Sequence, residues 1–311
     1  MEIRAGRFRR YAWLVLGYTV LVVLWGAFVR ATGSGAGCGG HWPLCNGEIA
    51  PRSPSAQTVI EYTHRISSGL LLLMTGGLLV WAYRLFPRGH RARRFSALAA
   101  VFLGMEALLG AGLVLLDYVA HNASTGRAVY LSAHLTNTLI LLAMVALAAW
   151  SARETAPAAT RRRVPSYLKA ALPVALLVAI TGALAALGDT LFPATDLASG
   201  IRQELAPAAH PLLRLRLLHP VAALAGGIYL ALAAALSLKV RPVSAARSSA
   251  VAVVSLVFLQ LAAGVVNMVL LAPVWMQLVH LLLSVLLWIC LVILTAEMSV
   301  ERLSLREQLA G

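Results

Sequence analysis

The chain of 311 residues is 60% hydrophobic and only 12% charged, with a mean hydropathy of +0.80. A soluble domain carries about one charged residue in four, so an ordinary soluble fold is excluded. The net charge of +14 would suit nucleic acid, but its distribution along the chain points elsewhere, and no nucleic-acid partner is expected.

Eight apolar runs follow one another, at residues 11–29, 59–86, 96–116, 130–150, 167–187, 215–238, 248–271 and 274–297. Each is close to or above the about 20 residues that span a bilayer's hydrocarbon core. The runs are continuous and do not alternate, which implies helices and not a barrel. The expected fold is an all-α polytopic membrane protein with eight transmembrane helices. Segments 1–10, 84–94, 151–169, 239–247 and 298–311 hold 19 of the 26 Lys and Arg residues, and the alternate segments hold the other seven. The positive-inside rule then places both termini in the cytoplasm of a multi-pass cell-membrane protein. Basic clusters such as Arg161–Arg162–Arg163 read as topology signals and contacts to anionic lipid. The first run is long enough to span and has no clear small-residue cleavage site, so no cleavable signal peptide is expected.

The first outer segment contains Cys38 and Cys45 in C-G-G-H-W-P-L-C. On the oxidising side of a membrane this spacing favours a disulfide. A metal site is the competing reading, to which His41 could lend a ligand, though no fourth ligand is evident. Cys290, deep in the last run, reads as a small buried hydrophobe.

The chain also repeats itself. Gly26–Ala27–Phe28–Val29 resembles Gly182–Ala183–Leu184–Ala185, and His64 answers to His219 at an offset of 155. Phe102–Leu103, Glu106 and Gly110 match Phe258–Leu259, Gln260 and Gly264 at nearly the same offset, and His134 matches His280 at 146. Four helices per repeat make the repeats parallel, related by an axis along the membrane normal. Two four-helix bundles are expected, over residues 1–160 and 161–311, with the seam in the linker at 151–166.

His64, His134, His219 and His280 each stand within about two turns of the start of an even-numbered run, so their depths differ by only about 3 Å. A haem iron takes two axial nitrogens about 4 Å apart, which only residues of different helices at matched depth can supply. One such histidine alone would be read as an interfacial residue. Four in register across a duplication point to haem ligation, paired as His64 with His134 and His219 with His280. Structural zinc fits less well, since it prefers four tetrahedral ligands. His41, His121, His210 and His90 lie in loops and read as solvated. Gly69, Gly76, Gly77, Gly226 and Gly227 suit the close approach of a macrocycle or of a neighbouring helix, with neither favoured.

One difference separates the halves. Glu61 stands three residues before His64, whereas Arg216 stands three before His219. Glu61 and His64 share a helix face, so a carboxylate can move protons beside the first pair and not beside the second. An ion pair of Glu61 with Arg65 is the equally weighted structural reading. Mid-helix Glu106, matched by Gln260, reads as a packing residue. Arg30, Arg65, Arg127, Arg214 and Arg216 gather on the outer side, where haem propionates or lipid headgroups would take them up.

Gly26-x-x-Val29-Arg30-x-Thr32-Gly33-Ser34-Gly35, then Cys38 and Trp42–Pro43–Leu44–Cys45–Asn46–Gly47, resembles the first outer loop of the haem A synthases. Glu61–Tyr62–Thr63–His64–Arg65 resembles the start of their second helix. Two departures stand out: Gly39–Gly40–His41 replaces the family's frequent Pro–Asp before the Trp, and residues 188–214 contain no cysteine. The resemblance implies an enzyme that oxidises the C8 methyl of haem O to a formyl group by successive hydroxylation, giving haem A for terminal oxidases. It implies that His64 and His134 hold the haem O substrate, that His219 and His280 hold a haem b, that Glu61 is catalytic, and that Cys38 and Cys45 form a disulfide. It names no electron donor and leaves open docking with a haem O synthase. Two other readings of the residues remain at this stage. One is a di-haem b-type cytochrome that relays electrons without modifying haem, and the other is a histidine-lined transporter.

Overall fold

The computed structural model describes residues 2–153, 163–240 and 244–300. All eight apolar runs are helices long and apolar enough to cross a membrane, and the protein is an all-α polytopic membrane protein. In chain order they are α1 (Glu2–Ala31), α2 (Ala56–Leu85), α3 (Arg91–Leu115), α4 (Thr125–Ser151), α5 (Ser166–Leu191), α7 (Pro211–Val240), α8 (Ser244–Val269) and α9 (Val274–Met298), with a short α6 (Leu197–Leu205) between α5 and α7. The linker read as the seam falls largely on residues 154–162, outside the described residues, as do Arg161, Arg162 and the basic residues beyond position 300.

Most helices start several residues before their apolar runs, and in α2, α3 and α4 polar caps set the first turns. Ser55 accepts from the Thr58 amide at the start of α2, and Ser124 from the Arg127 amide at the start of α4. His90 is not a solvated loop residue: its Nδ1 accepts from the Ala92 amide to cap α3, and its ring stacks on Phe86. Side-chain caps satisfy amide donors that the first helical turn leaves unpaired.

Helices α1 to α4 pack in a ring, each against its sequence neighbour and α1 against α4; α5, α7, α8 and α9 form a second ring in the same way. The rings meet along α4, α9, α1 and α5. The larger apolar cluster joins α1–α4 with one face of α9 through Val285, Trp288, Ile289 and Val292. A second cluster gathers Leu168, Leu230, Val253, Val257 and Leu291 from the other four helices. Trp288 fixes the seam by donating its indole N–H to the Leu139 carbonyl at 2.7 Å. In a medium without water, such a donor has to find its acceptor inside the protein.

Candidate functional site

The even-numbered spans place their histidines at closely similar heights. His64 is eight residues past Ala56, His134 nine past Thr125, His219 eight past Pro211 and His280 six past Val274. At 1.5 Å per residue, a spread of three residues is about 4.5 Å. His64, His134 and His219 lie three to five residues further into their helices than the apolar runs implied, because those helices begin earlier, while His280 keeps its place. All four rings are half-buried. His64 and His134 lie within electrostatic reach of each other, as do His219 and His280.

The centres of the His219 and His280 rings are 6.4 Å apart, with the planes at 84°. Two iron–imidazole bonds of about 2 Å, with each ring's half-width added, separate ring centres by roughly 6 Å. The second pair therefore has the spacing of axial ligands. Buried nitrogens without a hydrogen-bond partner occur at His64 Nδ1, His134 Nδ1 and His280 Nδ1. Such atoms call for a partner, and a metal held between rings supplies one. Among the described residues no group of three or more His, Cys, Asp or Glu gathers to hold a metal, whereas His219 and His280 face each other as a pair. The residues fit a haem.

Each imidazole lies against a glycine of the preceding span. A Cβ added to Gly26 would stand 3.0 Å from His64 Cε1; the same construction gives 3.9 Å from Gly110 to His134, 2.9 Å from Gly182 to His219 and 3.2 Å from Gly264 to His280. The fold is thus four helical hairpins, each seating the histidine of one helix on the glycine of the other. The glycines singled out from sequence do other work. Gly77 admits the Tyr11 hydroxyl, Gly226 admits Val178, Gly227 admits Val257 and Leu261, and Gly69 and Gly76 face open space. Helix packing is what three of those five serve.

Glu61 is 4% exposed. Its Oε1 pairs with Arg65 at 2.5 Å, and its Oε2 accepts the Cys38 amide at 2.8 Å. Arg65 also donates to the carbonyls of His41 and Leu44, while the Thr58 hydroxyl donates to the Gly37 carbonyl and the Tyr62 hydroxyl to that of Ile49. Thr58, Glu61, Tyr62 and Arg65 share one helix face by their spacing. That face grips the outer loop, which Cys38 and Cys45 close as a disulfide. The carboxylate and the ion pair read from sequence therefore belong to one structure, and the loop amide is its third member.

The second half reverses the charges. Arg216 bonds Asp189 at the end of α5 at 3.0 Å, and its Nε donates to Glu204 on α6. Pro220 follows His219 inside α7 and leaves the Arg216 carbonyl without its helical donor.

A family profile described as cytochrome oxidase assembly protein matches residues 9–292. The chain belongs to that family. The chain is 46% identical over 305 residues to a Thermus thermophilus protein named protoheme IX farnesyltransferase, an overlap of 97% of this chain and 50% of that one. It thus spans about half the length of that relative. Proteins named heme A synthase from Alkalihalophilus pseudofirmus and Halalkalibacterium halodurans are 45% and 46% identical over 95 residues, 30% of this chain and 32% of each of theirs.

Two further features of the family member depart from the sequence reading. Glu106, read from sequence as a packing residue, accepts from Asn137 and Thr138 of α4, and its Oε1 also lies 3.5 Å from His134 Nδ1, an ion-pair distance without hydrogen-bond geometry. Its repeat partner Gln260 stands 3.1 Å from His280 Nε2. The outer arginines have protein acceptors. Arg127 donates to the carbonyls of Ala120 and Asn122, and Arg214 to that of Pro207. Arg30 reaches from α1 across the seam to the Ala186 carbonyl, Thr190 and Gln277.

Proposed function

We propose that the chain is a haem A synthase: it oxidises the C8 methyl of haem O to a formyl group by successive hydroxylation, in a cell membrane with both termini cytoplasmic. The observation that carries this reading is the arrangement of four histidines as two pairs, each ring seated on a glycine, with His219 and His280 spaced as axial ligands. His219 and His280 hold a resident haem b, which when bound supplies one-electron redox chemistry. His64 and His134 hold the haem O substrate. The Glu61 carboxylate sits three residues from His64, where it accepts two donors and keeps lone pairs free on both oxygens, as a base requires. Arg65 and the Cys38 amide fix its position, and the disulfide loop covers that end of α2.

Two relatives named heme A synthase support the reaction. The name of the Thermus relative supports the reaction that precedes it. Haem O is protohaem carrying a farnesyl-derived chain, and that relative, named for farnesyl transfer to protohaem, extends well beyond the half that this chain matches. A haem O synthase is accordingly the partner that delivers the substrate. The test is expression with a haem O source followed by haem extraction. Wild type yields haem A, and Glu61→Ala accumulates haem O or a hydroxylated intermediate. Full conversion by Glu61→Ala, or haem b alone in wild type as in an electron relay, would overturn the proposal.

A further inference from the structure

The four imidazoles are not held equally. Thr181 Oγ1 is 3.1 Å from His219 Nδ1, Gln260 Nε2 is 3.1 Å from His280 Nε2, and Glu106 Oε1 is 3.5 Å from His134 Nδ1. These polar groups belong to the glycine seats themselves. Thr181 immediately precedes Gly182, while Glu106 and Gln260 lie one turn before Gly110 and Gly264. His219 thus has Nδ1 in contact with Thr181 and Nε2 left over for a metal, while Gln260 and Glu106 bring polar groups up to His280 and His134, whose Nδ1 atoms have no hydrogen-bond partner among the described residues.

His64 differs in having no such group beside it. Among the described residues its Nδ1 is buried without a partner, as are those of His134 and His280, but no polar side chain of its glycine seat approaches the ring. Its seat on α1 offers nothing polar to the ring. Trp25, in the position of Thr181, spends its indole N–H on the Ile60 carbonyl at 3.1 Å, and one turn before Gly26 stands Val22. The nearby hydroxyls of Ser67 and Ser68 donate to the His64 carbonyl and not to its ring. Partners behind a metal-bound imidazole fix its rotation and strengthen its bond, and losing one typically costs about 10- to 100-fold in metal affinity.

We infer that His64 is the displaceable axial ligand, so that the haem held with His134 accepts a small exogenous ligand while the haem held by His219 and His280 does not. In the exchange the iron–His64 bond breaks, the iron–ligand bond forms, and no electron changes hands. The inference rests on the haem reading of the two histidine pairs. It gives the unequal halves a second cause besides Glu61: one site can open, and the other is built to stay closed.

Carbon monoxide is the probe. The purified protein is loaded with haem in both sites, reduced and titrated, with absorption difference spectra counting the haem that binds. One haem of two should respond, and it should remain responsive in His64→Ala, where His134 still holds it. Thr181→Val, which keeps the side-chain shape and removes the contact to His219, should raise the carbon monoxide affinity of the second haem by about tenfold or more. Response by both haems of wild type, by neither, or by the haem that His219→Ala removes would overturn the inference. Fewer than two haems per chain after loading would instead contradict the haem reading beneath it.

Discussion

The first turns of α2 and of α7 occupy matching places in the two halves and carry opposite chemistry. On α2, a buried carboxylate three residues before the histidine faces an arginine and a loop amide. On α7, an arginine at the same spacing is held by two carboxylates, one from α5 and one from α6. The second arrangement consumes its charges in tying three helices together. The first leaves a carboxylate beside a histidine pair and under a disulfide-closed loop. The two halves share the glycine-seated histidines and differ three residues away, where one carries a carboxylate gripping a loop and the other an arginine that ties helices together.

The comparison can be broken at several points. Glu61→Gln keeps the shape of the side chain and removes its basic oxygen, so conversion should fall by about 100-fold or more with haem content unchanged, as seen by extracting the haems. Replacing Cys38 and Cys45 together by alanine should cost about 2–3 kcal/mol through the freed loop. The readout is the thermal midpoint, and the same variant should lose conversion because the Cys38 amide no longer positions Glu61. Gly182→Ala puts a methyl 2.9 Å from the His219 ring and should destabilise the protein by about 1–3 kcal/mol, with a changed haem absorption spectrum. Gly69→Ala, which meets nothing, should be neutral or stabilising by up to about 1 kcal/mol. Asp189→Asn should have the smallest effect, about 1 kcal/mol or less and no change in conversion, because Glu204 still engages Arg216.

Much of this was legible in the chain. The eight spans are apolar runs of the right length, and the repeat of Gly26 with Gly182 and of Gly110 with Gly264 was visible as an alignment. What those glycines do was not, because the residue a helical glycine faces depends on how two helices rotate against each other. The i, i+4 spacing made the Glu61–Arg65 pair readable, whereas the Cys38 amide became its partner only through the course of the loop. Helix α6 was missed although it carries a signal: Asp196 and Ser199 form a capping box at its start, which marks a helix even where the apolar run is short. Arg30 looked like an outer-surface cation, but its acceptors lie on α5 and α9, more than 150 residues away in sequence. No local pattern reports such a partner.

The central claim is that the two histidine pairs hold different haems. It is tested most directly by counting and identifying the haems in His219→Ala and His64→Ala, each purified after expression with a haem O source. His219→Ala should lose haem b and keep the other haem, and His64→Ala should keep its full haem b. Loss of haem b from both variants, or from neither, would contradict it.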